Sequence, residues 1–146
     1  MRAWLTRDPI DAAVVLGLVG SDRDGAAVLF LGVVRDHNDG RAVSGMTYEA
    51  YGEMAEKELA AIAMEAAERA GTDRIAVVHR VGALEVGEAS VAIAVSSPHR
   101  AEAYEASRYV IEQIKLRLPV WKRERYTQGS ERWLDGAEPP VEARRE

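Results

Sequence analysis

Residues 89–119 read ASVAIAVSSPHRAEAYEASRYVIEQIKLRLP, and this stretch contains the transition that decides the fold. Its first eight residues are rich in β-branched and small apolar side chains without a helical period, which predicts a strand. Ser97-Pro98 places an N-cap residue before a first-turn proline, which is the order that opens a helix, and Pro119 ends that helix after Leu118. A strand that leads directly into a long helix predicts a sheet with helices packed on it.

The flanking sequence shows strand and helix patterns in turn. Before the quoted stretch, these are a short helix opened by Asp8-Pro9 and stopped at Gly20, strands at Ala26 to Val34 and Ser44 to Tyr51, a long amphipathic helix at Glu53 to Ala70 that ends at Gly71, and a strand at Arg74 to Val81. Val120 to Tyr126 predicts the last strand, and Gly82 to Glu88 a hairpin loop. The order predicts an α+β fold with a mainly antiparallel sheet and helices packed on it.

A single domain accounts for this pattern. The chain has 146 residues and no internal repeat, so residues 1–136 are expected to form one compact domain. Residues 137–146 are polar and are interrupted by Pro139 and Pro140. This composition is typical of a flexible C-terminal tail.

The composition excludes several kinds of chemistry. The chain contains no cysteine, which excludes a disulfide framework, a cysteine zinc site, an iron–sulfur cluster, a thiol nucleophile and a persulfide carried on the protein. Three scattered histidines predict no metal site, and the absence of nucleotide-binding glycine motifs predicts no bound cofactor. Any sulfur chemistry must therefore use sulfur that another molecule brings.

The formal net charge is -5, which argues against a surface that follows nucleic acid along its whole length. No apolar run reaches the length of a membrane span, and the first residues lack the apolar stretch of a signal peptide. A cytoplasmic location without membrane contact is the expectation.

Positive charge is nevertheless concentrated in residues 115–125, which contain five cations and one acid. Lys115 lies four residues after Ile111 and three before Leu118, at the margin of the apolar stripe of its helix. Partial desolvation there would favour the neutral amine, which can act as acid, base or nucleophile. The alternative is that cations in a last helical turn complement the helix dipole, and the spacing alone favours this alternative.

Two further stretches combine a strand end with groups that bind anions. Ser96 to Arg100 places His99 and Arg100 at a helix N-terminus, where a phosphate or carboxylate could bind or where the cap could be merely solvated. Gly32 to Asn38 places Arg35 in a polar loop after a strand. His79 shares a strand face with apolar residues, which favours a hydrogen-bonded histidine at the edge of the core.

Four motifs, in order and at similar spacing, resemble the catalytic (large) subunit of molybdopterin synthase from about Gly25 to Trp133. They are Phe30-Leu31-Gly32-Val33-Val34-Arg35 with Asn38, His79-Arg80-Val81-Gly82-Ala83-Leu84 with Gly87-Glu88, Ser97-Pro98-His99-Arg100, and Lys115 to Glu124 with its core Pro119-Val120-Trp121-Lys122-Arg123-Glu124. The resemblance implies an α/β hammerhead-type fold and a homodimer. It also implies a small ubiquitin-like sulfur-carrier subunit bound at each end, which makes a heterotetramer.

The resemblance further implies a reaction. Cyclic pyranopterin monophosphate is converted to molybdopterin by two sulfur atoms from the carrier's C-terminal Gly-Gly thiocarboxylate, which makes the enzyme a sulfurtransferase. Lys115 matches the catalytic lysine and Lys122 the second pocket lysine. The implied substrate-binding residues are Phe30, Val33, Val34, Arg35, Arg123 and Glu124, together with His99 and Arg100, which reach the site from the neighbouring protomer.

Two other interpretations remain from the residues themselves. A small α+β nucleic-acid-binding module could use residues 115–125 as a phosphate-contacting strip with Trp121 and Tyr126 as stacking aromatics. A partner-binding scaffold could keep the fold without activity, although the presence of both Lys115 and Lys122 argues against it.

Overall fold

The elements below come from a computed structural model that describes residues 1–127 and, as backbone, 131–133. They are β1 (Arg2–Thr6), α1 (Ala12–Leu16), β2 (Ala26–Val33), β3 (His37–Asn38), β4 (Arg41–Ala50), α2 (Gly52–Ala70), β5 (Ile75–Arg80), β6 (Gly82–Glu85), β7 (Ala89–Ser97), α3 (Arg100–Arg117), β8 (Val120–Tyr126) and β9 (Glu131–Trp133). The tail expected at 137–146 lies outside the described residues, so that expectation and the domain limit at 136 stay predictions.

The first sheet has the strand order β1-β5-β7-β2 and forms the centre of the molecule. β1 is parallel to β5, while the β5–β7 and β7–β2 pairs are antiparallel. Every residue of β5 is buried, because α2 and α3 cover one face of the sheet and α1 lies against the other. This confirms the α+β class and the helices packed on a mainly antiparallel sheet.

Helices α2 and α3 supply the main core through small and branched side chains. Leu59 and Ile62 of α2 and Val110 of α3 are fully buried against the β5 and β7 side chains. α2 ends where predicted, at Gly71, whose φ of 73° is the left-handed conformation that glycine adopts at a helix C-terminus. The long helix expected from Glu53 to Ala70 is therefore confirmed.

The second sheet is built around β4, which pairs with β8 along one edge and with β6 along the other. β3 and β4 form a tight hairpin whose two turn residues, Asp39 and Gly40, have φ values of 50° and 76°. Positive φ at both central positions is the type I′ geometry that matches strand twist and favours Asp-Gly. The hairpin holds the loop after β2 against the second sheet.

Local expectations fail in three respects, the first of which is the start of two helices: α3 begins at Arg100, after His99 as its N-cap, and not at Ser97-Pro98. Helix α1 is capped by Asp11, whose carboxylate accepts from the backbone N–H groups of Ala13 and Val14, and does not begin at Asp8-Pro9. The apolar run from Ala26 to Val34 predicts a buried strand, but β2 is half-buried, because it lies at the edge of its sheet.

The third failure is the loop expected at Gly82 to Glu88. Its first four residues form β6, which leaves the first sheet and joins the second by pairing with β4. Strand β1 was not among the predicted elements either, because five residues of mixed polarity become a strand only through their pairing with β5.

Among the described residues, no helix is both long and apolar enough to cross a membrane.

Candidate active site

A cavity of about 1160 Å³ opens where the two sheets and the end of α3 meet. It is lined by the ends of β2 and β5, the β3 hairpin, the middle of β4 and β8, and the last turns of α3. The residues predicted for a site that line it are Phe30, Val33, Val34, Arg35, Lys115, Lys122 and Glu124. Two stretches that are far apart in sequence, residues 30–35 and residues 115–124, therefore meet in one cavity.

Arg123, His99 and Arg100 do not line this cavity in the single chain. Side chains alternate along a strand, so Arg123 lies on the face of β8 opposite Lys122 and Glu124. His99 caps the start of α3, and the 15 residues from Arg100 to Lys115 span about 22 Å along a helix. One chain therefore cannot bring Arg100 and Lys115 to the same site.

Lys115 is exposed at the cavity wall, next to the buried Ile114. The partial desolvation expected from its place on the helix stripe is therefore wrong for the single chain. Within residues 1–127, no carboxylate forms a salt bridge with Lys115. Its ammonium is thus accessible to an anion that enters the cavity.

Glu124 is a buried carboxylate, with 2% of its surface exposed. Its Oε1 accepts hydrogen bonds from Asn38 Nδ2 at 2.9 Å and from the Tyr126 hydroxyl at 3.2 Å. Lys122 lies two residues earlier on the same face of β8 and also lines the cavity. The two donors hold Glu124 in place beside the loop that carries Arg35.

His79 is a cavity residue whose place on the strand was predicted but whose position in the site was not. It is 5% exposed, and Nδ1 lies 2.8 Å from the Arg80 carbonyl oxygen. Burial, together with the charges of Lys115 and Lys122, lowers its pKa to about 4, although the hydrogen bond with the Arg80 carbonyl acts in the opposite direction. The imidazole is therefore neutral near pH 7 and donates from Nδ1 to the backbone.

Tyr48 completes this neutral side of the cavity. Its ring lies edge-on to the His79 ring, with centroids 5.1 Å apart, and it sits opposite Lys122 in the β4–β8 register. Burial raises the pKa of the Tyr48 hydroxyl. Nothing in the spacing around Tyr48 singles it out, because only the pairing of β4 with β8 and the contact between the sheets bring it to Lys122 and His79.

The loop residues next to Arg35 form a separate exposed pair. His37 Nδ1 lies 2.8 Å from a carboxylate oxygen of Asp36, and this contact lowers the pKa of Asp36. Asp36 is therefore ionised at neutral pH. His37 and Asp39 line the cavity and Asp36 does not, so the acid that follows Arg35 in sequence stays outside the cavity.

The basic segment 115–125 does not form a continuous strip on the surface. Arg117 bonds to Glu65 on α2, and Arg125 donates to the Thr47 hydroxyl and the Leu84 carbonyl oxygen. Lys115 and Lys122 turn into the cavity. This distribution does not support the phosphate-contacting strip of a nucleic-acid-binding module.

The cavity wall therefore combines three cations, Arg35, Lys115 and Lys122, with the neutral His79 and with two carboxylates, the buried Glu124 and Asp39 at the hairpin turn. Fixed cations around an enclosed space stabilise bound anions and negative charge that develops during a reaction. The residues described contain no cluster of three or more histidine, aspartate or glutamate side chains that could hold a metal ion.

Known proteins resemble this chain in sequence and in fold. The family model described as MoaE protein matches residues 5–117. A relative named molybdopterin synthase catalytic subunit in Halalkalibacterium halodurans is 45% identical over 91% of this chain and 85% of its own length. One of the same name in Pyrococcus abyssi is 44% identical over 92% of each chain.

Solved structures agree with these sequence matches. A molybdopterin synthase structure from Staphylococcus aureus has a TM-score of 0.84 at 39% identity, over 89% of this chain and 94% of that one. A complex of subunits 1 and 2 of a molybdopterin-converting factor from Helicobacter pylori has a TM-score of 0.72 at 17% identity and shares the fold, over 96% and 94% of the two chains. The chain belongs to the MoaE family of molybdopterin synthase catalytic subunits.

Proposed function

We propose that this chain is the sulfurtransferase subunit that converts cyclic pyranopterin monophosphate to molybdopterin. The observation that carries the proposal is the meeting of Arg35, Lys115 and Lys122 around one cavity in a chain without cysteine. The sulfur must come from elsewhere, and a small ubiquitin-like carrier would deliver it as a C-terminal Gly-Gly thiocarboxylate. Each transfer breaks the carbon–sulfur bond of one thiocarboxylate, and water supplies the oxygen of the ordinary carboxylate left on the carrier, so two carriers are used for each product.

The charge of the cavity suits both reactants. A thiocarboxylate and a phosphate are anions, and an enclosed site that takes both needs several cations to offset their repulsion. Lys122 and Arg35 would hold the phosphate end of the pterin. Phe30, Val33 and Val34 supply apolar wall against which the rest of the substrate can pack.

Lys115 would act at the carbon that receives sulfur. An exposed amine without a carboxylate partner in residues 1–127 can reach the substrate and exchange a proton with it. General acid–base catalysis and a transient covalent adduct both fit this position, and both need the same amine.

His99 and Arg100 enter the proposal through a second protomer. Because α3 separates Arg100 from Lys115 by about 22 Å along the helix, these two residues can serve a pocket only if it belongs to a neighbouring chain. A homodimer with a carrier at each end, that is, a heterotetramer with a hammerhead-type fold, would meet this condition. The two-subunit complex from Helicobacter pylori supports a carrier partner. Arg123 would then support Lys122 from the opposite face of β8. The cytoplasmic location stays a prediction.

Reconstitution tests the function directly. The purified chain is incubated with cyclic pyranopterin monophosphate and a thiocarboxylated carrier, and molybdopterin is measured. The matched control is the same carrier with an ordinary C-terminal carboxylate, which should yield no product. If no molybdopterin forms with the thiocarboxylated carrier, under conditions in which another synthase works, the proposal is wrong.

A mixing experiment tests the shared pocket. Lys115→Ala and Arg100→Ala chains are inactive in separate homodimers if each pocket draws Lys115 from one protomer and Arg100 from the other. In a mixed dimer, one of the two pockets receives both native residues, so activity should return. Activity that stays absent in verified mixed dimers would place Arg100 outside the pocket of the neighbouring protomer.

A further inference from the structure

Asn38 lies between the cation of the β2–β3 loop and the buried carboxylate of β8. Its Oδ1 accepts from Arg35 Nη2 at 3.5 Å, and its Nδ2 donates to Glu124 Oε1 at 2.9 Å. All three residues line the cavity. One amide side chain therefore connects Arg35 to Glu124, which lies 86 residues after Asn38 in sequence.

The backbone around Asn38 is set by the hairpin rather than by a flexible loop. Asn38 pairs with Arg41 across the type I′ turn, and the Val43 N–H donates to the Asp36 carbonyl oxygen at 2.7 Å. The Arg41 guanidinium also lies 3.7 Å from the centre of the Tyr126 ring. The hairpin is thus held against β8 at two points, and Asn38 is the one that faces the cavity.

The two partners of Asn38 need opposite hydrogen-bonding groups. A guanidinium only donates, and an ionised carboxylate only accepts. An amide offers an acceptor and donors on one short side chain, so it satisfies both partners. Aspartate, which has the same shape, would keep the acceptor for Arg35 but would face Glu124 with a second acceptor and a second negative charge.

We propose that Asn38 is a positioning residue, which holds Arg35 over the cavity by coupling it to Glu124. This inference rests on the proposed function, because Arg35 is taken to bind the phosphate of the pterin. Glu124 serves as the buried anchor, and the oxygen that accepts from Asn38, Oε1, also accepts from the Tyr126 hydroxyl. Asn38 itself acts through Arg35.

The test compares Asn38→Asp in two backgrounds. With native Glu124, the substitution should raise the KM for the pterin at least tenfold, with a smaller change in kcat. In the Glu124→Gln background, the glutamine amide can donate to the new carboxylate, so the same substitution should change KM less than threefold. An equal effect of Asn38→Asp in both backgrounds would overturn the coupling.

A second double-mutant cycle is used if Asn38→Asp folds poorly, as judged by its Tm. Asn38→Ala is compared in the native and Arg35→Ala backgrounds by titrating the pterin into the protein. If Asn38 acts through Arg35, the substitution Asn38→Ala should weaken binding of the pterin at least fivefold in the native chain and less than twofold in the Arg35→Ala chain. Equal weakening in both backgrounds contradicts the positioning role.

The outcomes separate the two proposals. A wild-type chain that makes no molybdopterin refutes the proposed function and this inference with it. An active wild-type chain whose substitutions at position 38 are independent of positions 35 and 124 refutes the inference alone.

Discussion

Lys115 and Arg117 lie two residues apart at the end of α3, yet the fold places them in opposite surroundings. Arg117 Nη2 and Nη1 bond to the two carboxylate oxygens of Glu65 on α2 at 2.6 and 2.8 Å, and Nε bonds to Glu58. The contact with Arg117 lowers the pKa of Glu65 to about 2. Lys115 is exposed at the cavity and forms no salt bridge with the residues described.

The difference shows how one helix terminus places one cation in a contact between helices and another at the wall of a cavity. Two residues of separation rotate a side chain by about 200° around the helix, so Arg117 faces α2 while Lys115 faces the cavity. Acids on α2 neutralise Arg117 and thereby join the two helices. Lys115 has no such acid among the described residues and stays available to a ligand, and the substitutions below test this difference between the two residues.

The largest effect is expected for Lys115→Ala. Loss of the amine should lower the rate of molybdopterin formation by about 10² to 10⁴-fold, because an acid–base or covalent group is removed. The Tm should stay unchanged, since the side chain is exposed and forms no salt bridge in the described chain. Single-turnover assays with thiocarboxylated carrier measure the rate, and normal turnover would assign the chemistry to another residue.

His79 extends the comparison to a group that the cavity keeps neutral. The pKa of the His79 imidazole is near 6.5 in the unfolded chain and about 4 in the folded chain. The free energy of unfolding therefore falls as the pH drops from 6.5 to 4, because the unfolded chain binds the proton first. The fall should amount to about 3 kcal/mol. Urea unfolding between pH 7.5 and 4 measures it.

His79→Asn supplies the control, because asparagine can still donate to the Arg80 carbonyl but does not titrate. Its stability should depend less on pH between 6.5 and 4 than that of the wild-type chain. An unchanged pH dependence would mean that another group titrates in this range.

Arg117→Ala should affect stability and leave the chemistry of the folded protein intact. Removal of the charged hydrogen bonds between α2 and α3 should lower the free energy of unfolding by about 1–2 kcal/mol. The contribution of the pair is present above the usual pKa of Glu65 and is lost as the pH falls towards 2, because protonation removes its charge. Thermal unfolding at pH 7 measures the loss, and a large fall in kcat without destabilisation would place Arg117 in the active site.

The smallest effect is expected for Lys57→Ala, the matched control for Lys115→Ala. Lys57 forms an exposed pair with Glu53 at 3.8 Å on α2, four residues apart. Such pairs contribute less than about 0.5 kcal/mol, so neither Tm nor turnover should change measurably. A loss of activity comparable to that of Lys115→Ala would show that the assay responds to total charge and not to the cavity.

Long elements with a clear period were predictable from sequence, and short elements that depend on a partner were not. The long helices are periodic over 18 and 19 residues, so local signals locate them well. β6 has four residues and β1 has five, and each becomes a strand only by pairing with a distant segment. Distant pairing leaves no local signal.

The candidate site divides in the same way. Arg35, Lys115 and Lys122 are visible as charged residues in unusual local surroundings, and the motif resemblance assigns them together. Tyr48 and His79 join the cavity because two sheets meet there, and the amide of Asn38 gains its role only when the hairpin lies against Glu124.

The sequence by itself determined the α+β class, the long helices and the condition that any sulfur chemistry needs an external sulfur source, because each follows from local periodicity or from the absence of cysteine. Only the tertiary structure decided which cations enter the cavity and which are neutralised. It also showed that one chain keeps His99 and Arg100 away from Lys115. The physical reason is that composition counts charges, whereas their effect depends on which side chains surround them after folding.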